Sequence, residues 1–182
     1  MLFSKKEKMN IGEFLAILLR DITKIKASTY EDYLEADNQR VLSKEEFENF
    51  NSQIMDFWIL LVMAKLMELG SSSKVKVWSK EAGGIFMSSL QWALGDNEFS
   101  EDVAMNVLET FKKNLNEYSD YLQTLAETDL RKNGFIYYAC MLFSQRFMGK
   151  VDKMGTYAAL INNNKKLVNE YSDNCFKSVK IV

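Results

Sequence analysis

The sequence of 182 residues contains no histidine and no proline. The lack of histidine removes the commonest general base, the Ser-His and Cys-His nucleophile pairs, and the Glu-x-x-His ligands of helical di-metal proteins. A typical proline content of roughly 5% would give about nine residues. Because proline breaks helix interiors and punctuates loops, its absence favours long helices joined by short connections.

Cysteine is scarce as well. The two cysteines, Cys140 and Cys175, lie far apart and form no Cys-x-x-Cys motif. Two thiols without histidine are too few for a usual closed zinc site. We therefore expect neither a bound metal nor another cofactor.

The charge balance argues against a partner rich in phosphate groups. The chain has 23 Lys and Arg against 25 Asp and Glu, a net charge of -2, and a pI near 5.4. It lacks the basic field that gathers nucleic-acid backbones, so we expect no nucleic-acid partner.

No segment of the sequence has the pattern of a membrane span or a secretion signal. The longest uncharged apolar run, "FWILLVMA" at 57–64, is much shorter than the roughly 20 residues that span a bilayer. Near the N-terminus, Glu13 interrupts the apolar stretch and no small-residue cleavage site follows. The sequence predicts a soluble, cytoplasmic protein without a transmembrane segment.

Capping signals locate the first helices. Asn10 with Glu13, and Ser43 with Glu46, have the spacing of capping boxes. The second box predicts a long central helix over about 44–69, ended by Gly70 and apolar on nearly all sides in its second half. A helix of this kind is typically surrounded by other helices.

Apolar residues at helical spacing continue through the rest of the chain. We expect helices before Gly95, after Ser100, after the "RKNG" break and after Gly149, the last interrupted at Asn162 to Asn164. The prediction is one all-α domain over 1–182, a bundle of six or seven helices around the central helix. It includes no convincing strand, and flexible ends are expected at 1–8 and 178–182.

The sequence also lacks a glycine-rich motif for phosphate and an acidic motif for a metal ion. Gly83 and Gly84 stand outside any phosphate-binding glycine pattern and favour close packing or a kink. The acidic run at 45–48 lies in a first helical turn, where solvated acids complement the helix dipole.

Lys65 and Glu68 are candidates for the polar groups of a pocket. They lie one turn apart on the central helix, on the side of its apolar seam. The favoured alternative is that the helix leaves the core here and both side chains are solvated. Arg146, beside Ser144 and Gln145, is likewise assigned to the solvated side of its helix.

Trp78, beside the serine-rich loop "GSSSKVKVW", is the candidate anchor for a partner protein. The first helix offers a membrane alternative, because Lys5, Lys6 and Lys8 precede its amphipathic stripe. A core-facing stripe is favoured, since amphipathicity is usual in globular helices.

The sequence "NEYSD" occurs twice, at 116–120 and 169–173. Apolar residues flank both copies at the same spacing, around Tyr118 and Tyr171, so we expect the two helices to present equivalent faces to the core. The acids beside each seam raise the alternative of a cation site, but solvated helix faces are favoured.

The sequence favours a non-catalytic protein that acts through protein-protein interaction, as an adaptor, a regulator or an immunity-type binder. The alternative is small-molecule binding in an apolar cavity between the central helix and the helix over 136–147, lined by the methionines and aromatic residues. An enzyme that uses only carboxylates, tyrosines and lysines is the third hypothesis. An exposed apolar patch would support the first, and a closed cavity with convergent polar groups would support the second.

Overall fold

A computed structural model of the protein describes residues 7–36, 41–71, 82–147 and 153–181. The described residues are almost entirely helical, so the predicted all-α bundle is confirmed. The elements in chain order are β1 (Glu7–Met9), α1 (Ile11–Thr23), α2 (Tyr30–Ala36), α3 (Lys44–Asn51), α4 (Ile54–Ser71), α5 (Ala82–Asp96), α6 (Glu101–Gln123), α7 (Glu127–Asn133), α8 (Phe135–Gln145), α9 (Met154–Ser178) and β2 (Val179–Ile181).

The two predicted capping boxes are present. The Asn10 side chain accepts a hydrogen bond from the Glu13 backbone N–H at 2.9 Å, and the Glu13 carboxylate accepts one from the Asn10 N–H at 3.2 Å. Ser43 and Glu46 make the same reciprocal pair at the start of α3. Each box satisfies N–H groups that a helix start leaves without partners, so these boundaries are set locally.

The predicted central helix over 44–69 is divided into α3 and α4 by a tight turn at Ser52 and Gln53. The Gln53 N–H donates to the carbonyl oxygen of Phe50, three residues back, at 3.1 Å. The side chains of Ser52 and Gln53 both donate to the carbonyl of Asn49, and so compete with the backbone for it. At its other end, α4 continues through Gly70 to Ser71, so Gly70 does not end the helix.

The middle of α4 is the centre of the core. Its residues from Phe57 to Ala64 are consecutive, and none is more than 3% exposed. Helices α1, α6, α8 and α9 all pack against α4. On the α8 side, the rings of Phe57 and Phe143 stack with centroids 4.2 Å apart.

The described parts of the two chain ends pair with each other. Strands β1 and β2 are parallel, with Glu7 opposite Val179 and Met9 opposite Ile181. Residues 7–8 and 178–181, where flexible ends were expected, lie in this strand pair and at the end of α9. Strands of three residues are too short to show an alternating apolar pattern in the sequence. Their pairing depends on α1 and α9, which bring the two ends of the chain together.

The asparagines at 162–164 do not interrupt α9. Asn164 Oδ1 accepts a hydrogen bond from the Trp58 indole Nε1 at 2.8 Å, and its Nδ2 donates to the Leu160 carbonyl at 2.8 Å. The tertiary partner on α4 thus offsets the weak helix propensity of asparagine.

Gly134 forms the corner between α7 and α8. Its φ of 80° and ψ of 165° lie in a region that is essentially restricted to glycine. A Cβ atom at this position would also lie 2.6 Å from the Glu68 Oε1 atom. The backbone conformation therefore requires glycine here, and a Cβ atom would in addition displace the Glu68 carboxylate.

Replacing Ser43 with alanine should lower the free energy of unfolding by about 1 kcal/mol, because the cap of α3 is lost. Chemical denaturation followed by circular dichroism measures this change. Ser28→Ala is the matched control, since Ser28 is exposed outside the helices, and Thr29 rather than Ser28 caps α2. Equal losses in the two variants would contradict the capping interpretation.

Gly134→Ala should destabilise the protein by about 1–3 kcal/mol, the typical cost of a forced backbone conformation. Gly95→Ala should instead stabilise it by up to about 1 kcal/mol, because Gly95 is helical and an added Cβ has open space around it. The same denaturation measurement compares the two. Stabilisation by Gly134→Ala would show that the corner does not need glycine.

Candidate functional site

A shallow apolar recess lies on the outer side of α1 and α5. The two helices run in the same direction, with Gly12 near Ile85 and Ser89 at one end and Arg20 near Asp96 at the other. The recess has a volume of about 460 Å³ and is lined by Gly12, Glu13, Ala16, Ile17, Ser88, Ser89 and Trp92. We call the surface around it the α1–α5 face.

Small side chains bring the two helices together at the first end of this face. The Ser89 hydroxyl donates to the Gly12 carbonyl oxygen at 3.1 Å. An added Cβ on Gly12 would lie 3.3 Å from Asn10 Oδ1 and 3.7 Å from an Ile85 methyl carbon. The space that glycine and Ala16 leave unfilled forms the floor of the recess.

Polar contacts hold the other end of the face. The Asn97 amide donates to the Arg20 carbonyl at 2.9 Å and to the Thr23 hydroxyl at 2.6 Å. Thr23 is buried and donates in turn to the Leu19 carbonyl. Because α1 and α5 are fastened at both ends, the recess between them has a defined shape.

Trp92 is the most prominent side chain of the α1–α5 face, with 49% of its surface exposed. Tryptophan is enriched at the energetic centres of protein interfaces, because it combines a large apolar area with a polar N–H. Among the described residues that line the recess, Glu13 is the one ionisable side chain. The face can therefore bury apolar side chains and hold one cation at its edge.

The sequence analysis did not single out Trp92, although the pattern of α5 contains a signal. The buried residues of α5 follow a regular helical stripe at 86, 89, 90, 93 and 94. Trp92 lies off this stripe, so helical periodicity places it outside the core. Trp78, the predicted anchor, lies outside the described residues.

Lys65 and Glu68, both on α4, contact different neighbouring helices. The Lys65 Nζ atom is 2.8 Å from Asp173 Oδ1 on α9, and the lysine side chain is only 18% exposed. Glu68 Oε1 accepts a hydrogen bond from the Ile136 N–H at 3.0 Å, at the start of α8. Both residues thus link α4 to the surrounding bundle.

Glu68 also borders a recess of about 690 Å³ at the corner between α7 and α8. The other residues that line it are Glu127, Leu130, Arg131, Gly134 and Phe135. Lys65 is not among them, so the recess brings only one of the two predicted pocket residues to its wall.

The apolar stripe of the first helix faces the core. The buried residues of α1 are Phe14, Leu15, Leu18, Leu19, Ile22 and Thr23. This burial contradicts the membrane alternative for the stripe, because the same residues cannot also lie in a lipid interface.

One helical stretch among the described residues, Lys44–Glu68, is long and apolar enough by composition to cross a membrane. Of its most apolar window, 61% is buried inside the protein. The core helix of a soluble protein meets the same criterion, and the burial of α4 is of that kind.

The two "NEYSD" copies do not pack alike, so the expectation of equivalent faces is wrong. Tyr118 is fully buried and donates to the Phe135 carbonyl at 2.6 Å. Tyr171 is only partly buried and donates to Asp21 Oδ2 at 2.7 Å, while its neighbour Ser172 is fully buried. The buried residue is the tyrosine in the first copy and the following serine in the second. The second helix is therefore rotated by about 100° about its axis relative to the first.

Three of the four acids in the two copies pair with cations rather than with one another. Glu117 Oε2 lies 3.6 Å from Arg146 Nη2, Asp173 contacts Lys65, and Glu170 Oε1 lies 3.9 Å from Lys166 Nζ. Within the described ranges, no group of three or more His, Cys, Asp or Glu side chains could hold a metal ion.

Arg146 lies on the exposed side of its helix, as predicted, but its guanidinium group is partly buried by contacts with neighbouring elements. Its guanidinium donates to Asn114 Oδ1 at 2.6 Å and to Gln53 Oε1 at 3.1 Å, and its side chain is 25% exposed. Asn114 on α6 is itself buried. Arg146 therefore joins the end of α8 to α6 and to the turn before α4.

Asp56 lies close enough to Arg146 to feel its charge. Burial raises the pKa of Asp56 from 3.8 to about 6, and the positive charge of Arg146 offsets part of the rise. The folded protein therefore holds this proton more tightly than the unfolded chain does. Protonation of Asp56 therefore contributes to the free energy of unfolding. This contribution is complete below the pKa of the unfolded chain and is lost as the pH rises through about 6.

Asp56→Asn should consequently become more favourable relative to the wild type as the pH rises from about 4 to about 7. Allowing for the partial exposure of the carboxyl group, we expect a change of about 1–2 kcal/mol in the difference between their free energies of unfolding. Urea denaturation at several pH values measures it. A constant difference over this range would contradict the raised pKa.

Comparison with models of protein families, with curated proteins and with solved structures finds no match to this chain.

Proposed function

We propose that the protein acts by binding another protein through the α1–α5 face. The observation that carries the proposal is the half-exposed Trp92 beside an open apolar recess. An exposed apolar patch of this kind is characteristic of interaction sites, and a central tryptophan is typical of their anchors. The role is that of a non-catalytic adaptor, regulator or immunity-type binder.

The rigidity of the face supports the same proposal. Hydrogen bonds at Ser89 and Asn97 fasten α1 to α5 at both ends of the recess. A preformed surface loses little conformational entropy when a partner binds, so more of the contact energy contributes to affinity. Helices that are fixed in this way suit recognition of a partner by shape.

The small-molecule alternative has less support. It requires an apolar cavity between α4 and α8, but stacked rings of Phe57 and Phe143 occupy that interface, and Phe50 packs edge-on to Phe143. The recess beside Glu68 lies at the polar end of these helices instead. Among the described residues, an apolar surface that is open to a ligand lies on the α1–α5 face instead.

We propose the cytoplasm as the compartment of this interaction. Cys140 and Cys175 are both free thiols, and both are partly buried. Free thiols are the usual state of cysteine in a reducing compartment.

A photo-crosslinking amino acid at position 91 tests the proposal directly in the native cell. Gln91 is exposed and precedes Trp92 in the chain, so a bound partner should be captured there as a discrete adduct. The control carries the same crosslinker at Lys166, which is exposed on α9. Equal capture at both positions, or none at position 91, would contradict the proposed site.

Trp92→Ala should reduce capture at position 91 at least about tenfold, as expected for the loss of an interface anchor. The thermal unfolding temperature should fall only modestly, because about half of the removed surface is already exposed. Leu167→Ala is the matched control, since Leu167 is 45% exposed on α9 and should leave capture intact. An unchanged adduct yield in Trp92→Ala would exclude the tryptophan as the anchor.

A further inference from the structure

We infer that the α1–α5 face binds an amphipathic helix of another protein, and that this helix carries a lysine or arginine one turn away from its apolar anchor. The inference rests on the proposed function, since it takes the face to be a protein-binding surface and names the chemistry of what binds there. Four properties of the face support it: its shape, its backbone, its charge and its size.

The recess follows the line along which α1 and α5 pack side by side. Its lining runs from Gly12 to Ile17 on α1 and from Ser88 to Trp92 on α5. Five residues of helix advance by about 7.5 Å, which is nearly one and a half turns. A helix that lies in this groove therefore presents apolar side chains to the recess that are three or four residues apart.

The backbone of the face favours a helical occupant. Residues 88–92 lie in the middle of α5, and the carbonyl groups of residues 12–17 accept hydrogen bonds from the next turn of α1. The Gly12 carbonyl also accepts the Ser89 hydroxyl at 3.1 Å. An extended segment on this surface would bury backbone groups that find no partner, whereas a helix bonds its own.

Glu13 sets the charge of the occupant. Its side chain is exposed at the edge of the recess and forms no ion pair with the described residues. The Asn10 N–H donates to its Oε2 atom, so the Oε1 atom can face a cation. Glu13 lies one turn before Ile17, so a lysine or arginine one turn from the apolar anchor reaches the carboxylate.

The other end of the face adds no comparable charge preference. The Arg20 Nε atom is 2.9 Å from Asp21 Oδ1, and its Nη1 atom is 3.8 Å from Asp96 Oδ2. The positive charge of Arg20 is thus compensated within the chain. The cation of the partner is therefore assigned to the start of α1.

The size of the face suits one helix rather than a whole subunit. Helices of 13 and 15 residues are about 20 Å long, and two side by side are about 20 Å wide, which gives about 400 Å² in projection. Stable complexes of whole proteins bury about 800 Å² on each partner. A single helix covers the available length, and we expect it to bind reversibly, with a dissociation constant in the micromolar range.

A phage-displayed library of helices of about 14 residues tests the inference. Its frame is rich in alanine and glutamine, and the randomised positions lie along one face. Selection against the wild-type chain should yield peptides with large apolar residues one turn apart and a lysine or arginine one turn beyond them. A library without such binders, or binders that Trp92→Ala selects equally well, would overturn the inference.

Isothermal titration calorimetry then measures the affinity of the strongest peptide. Trp92→Ala should weaken binding at least about tenfold, whereas the matched control Leu167→Ala should not. A proline in the middle of the peptide should abolish binding, because it breaks the helix. Unchanged affinity of the proline peptide would contradict a helical occupant.

A double-mutant cycle tests the assignment of Glu13. Glu13→Gln should weaken binding of the peptide about threefold, because glutamine preserves the capping box while removing the charge. Once methionine replaces the cation of the peptide, Glu13→Gln should have no further effect, since both changes remove the same ion pair. Additive losses would overturn the assignment of the cation to Glu13.

The failure of this inference is distinguishable from the failure of the proposed function. Mass spectrometry of the adduct formed at position 91 in the cell identifies the captured segment. If that segment lacks the apolar and cationic pattern and no helical peptide binds, the face binds a partner but not a helix of this kind. If position 91 captures nothing and no helical peptide binds, both proposals fail. Capture through an amphipathic segment with a cation one turn from its apolar residues supports both.

Discussion

The burial of α4 on every side constrains the rest of the structure. Its residues from Phe57 to Ala64 are each at most 3% exposed, a length of more than two helical turns without a solvated side. An apolar surface that runs around a whole helix must be covered from all directions to be removed from water. Helices α1, α6, α8 and α9 supply this cover, and α5 packs on α1 and α6 outside it.

Polar side chains fix how the covering helices are arranged. Hydrophobic contact alone is non-directional, but the bonds from Trp58 to Asn164, from Lys65 to Asp173 and from the Ile136 N–H to Glu68 each join α4 to one specific neighbour. A partly buried polar group without a partner would cost free energy. Shifting α8 or α9 along α4 would break these pairs, so they select one arrangement among those with similar apolar burial.

This use of polar groups affects where function can lie. The polar groups with the most unusual surroundings, including the partly buried Arg146 guanidinium and the buried Tyr118, are engaged with neighbouring helices. A structural role thus accounts for their chemistry. The α1–α5 face differs, because its tryptophan and its open recess make no comparable contribution to the bundle. Among the described residues, the open apolar recess therefore lies outside the bundle.

The sequence alone determined the features that depend on neighbouring residues. The capping boxes at Asn10 and Ser43, and the all-round apolar character of α4, depend on contacts within a few residues and could be read directly. The turn at Ser52 was missed, because the competition of its side chain for a backbone carbonyl leaves no periodic signal.

Only the tertiary structure decided which surfaces meet. Tyr118 and Tyr171 lie in the same five-residue sequence, yet one is fully buried and the other contacts Asp21 near the surface. Likewise, Lys65 and Glu68 contact two different helices. The short strands β1 and β2 pair although they lie at opposite ends of the sequence. Periodicity says that a helix has a buried side, whereas the rotation, depth and partner of that side depend on how distant helices pack around α4.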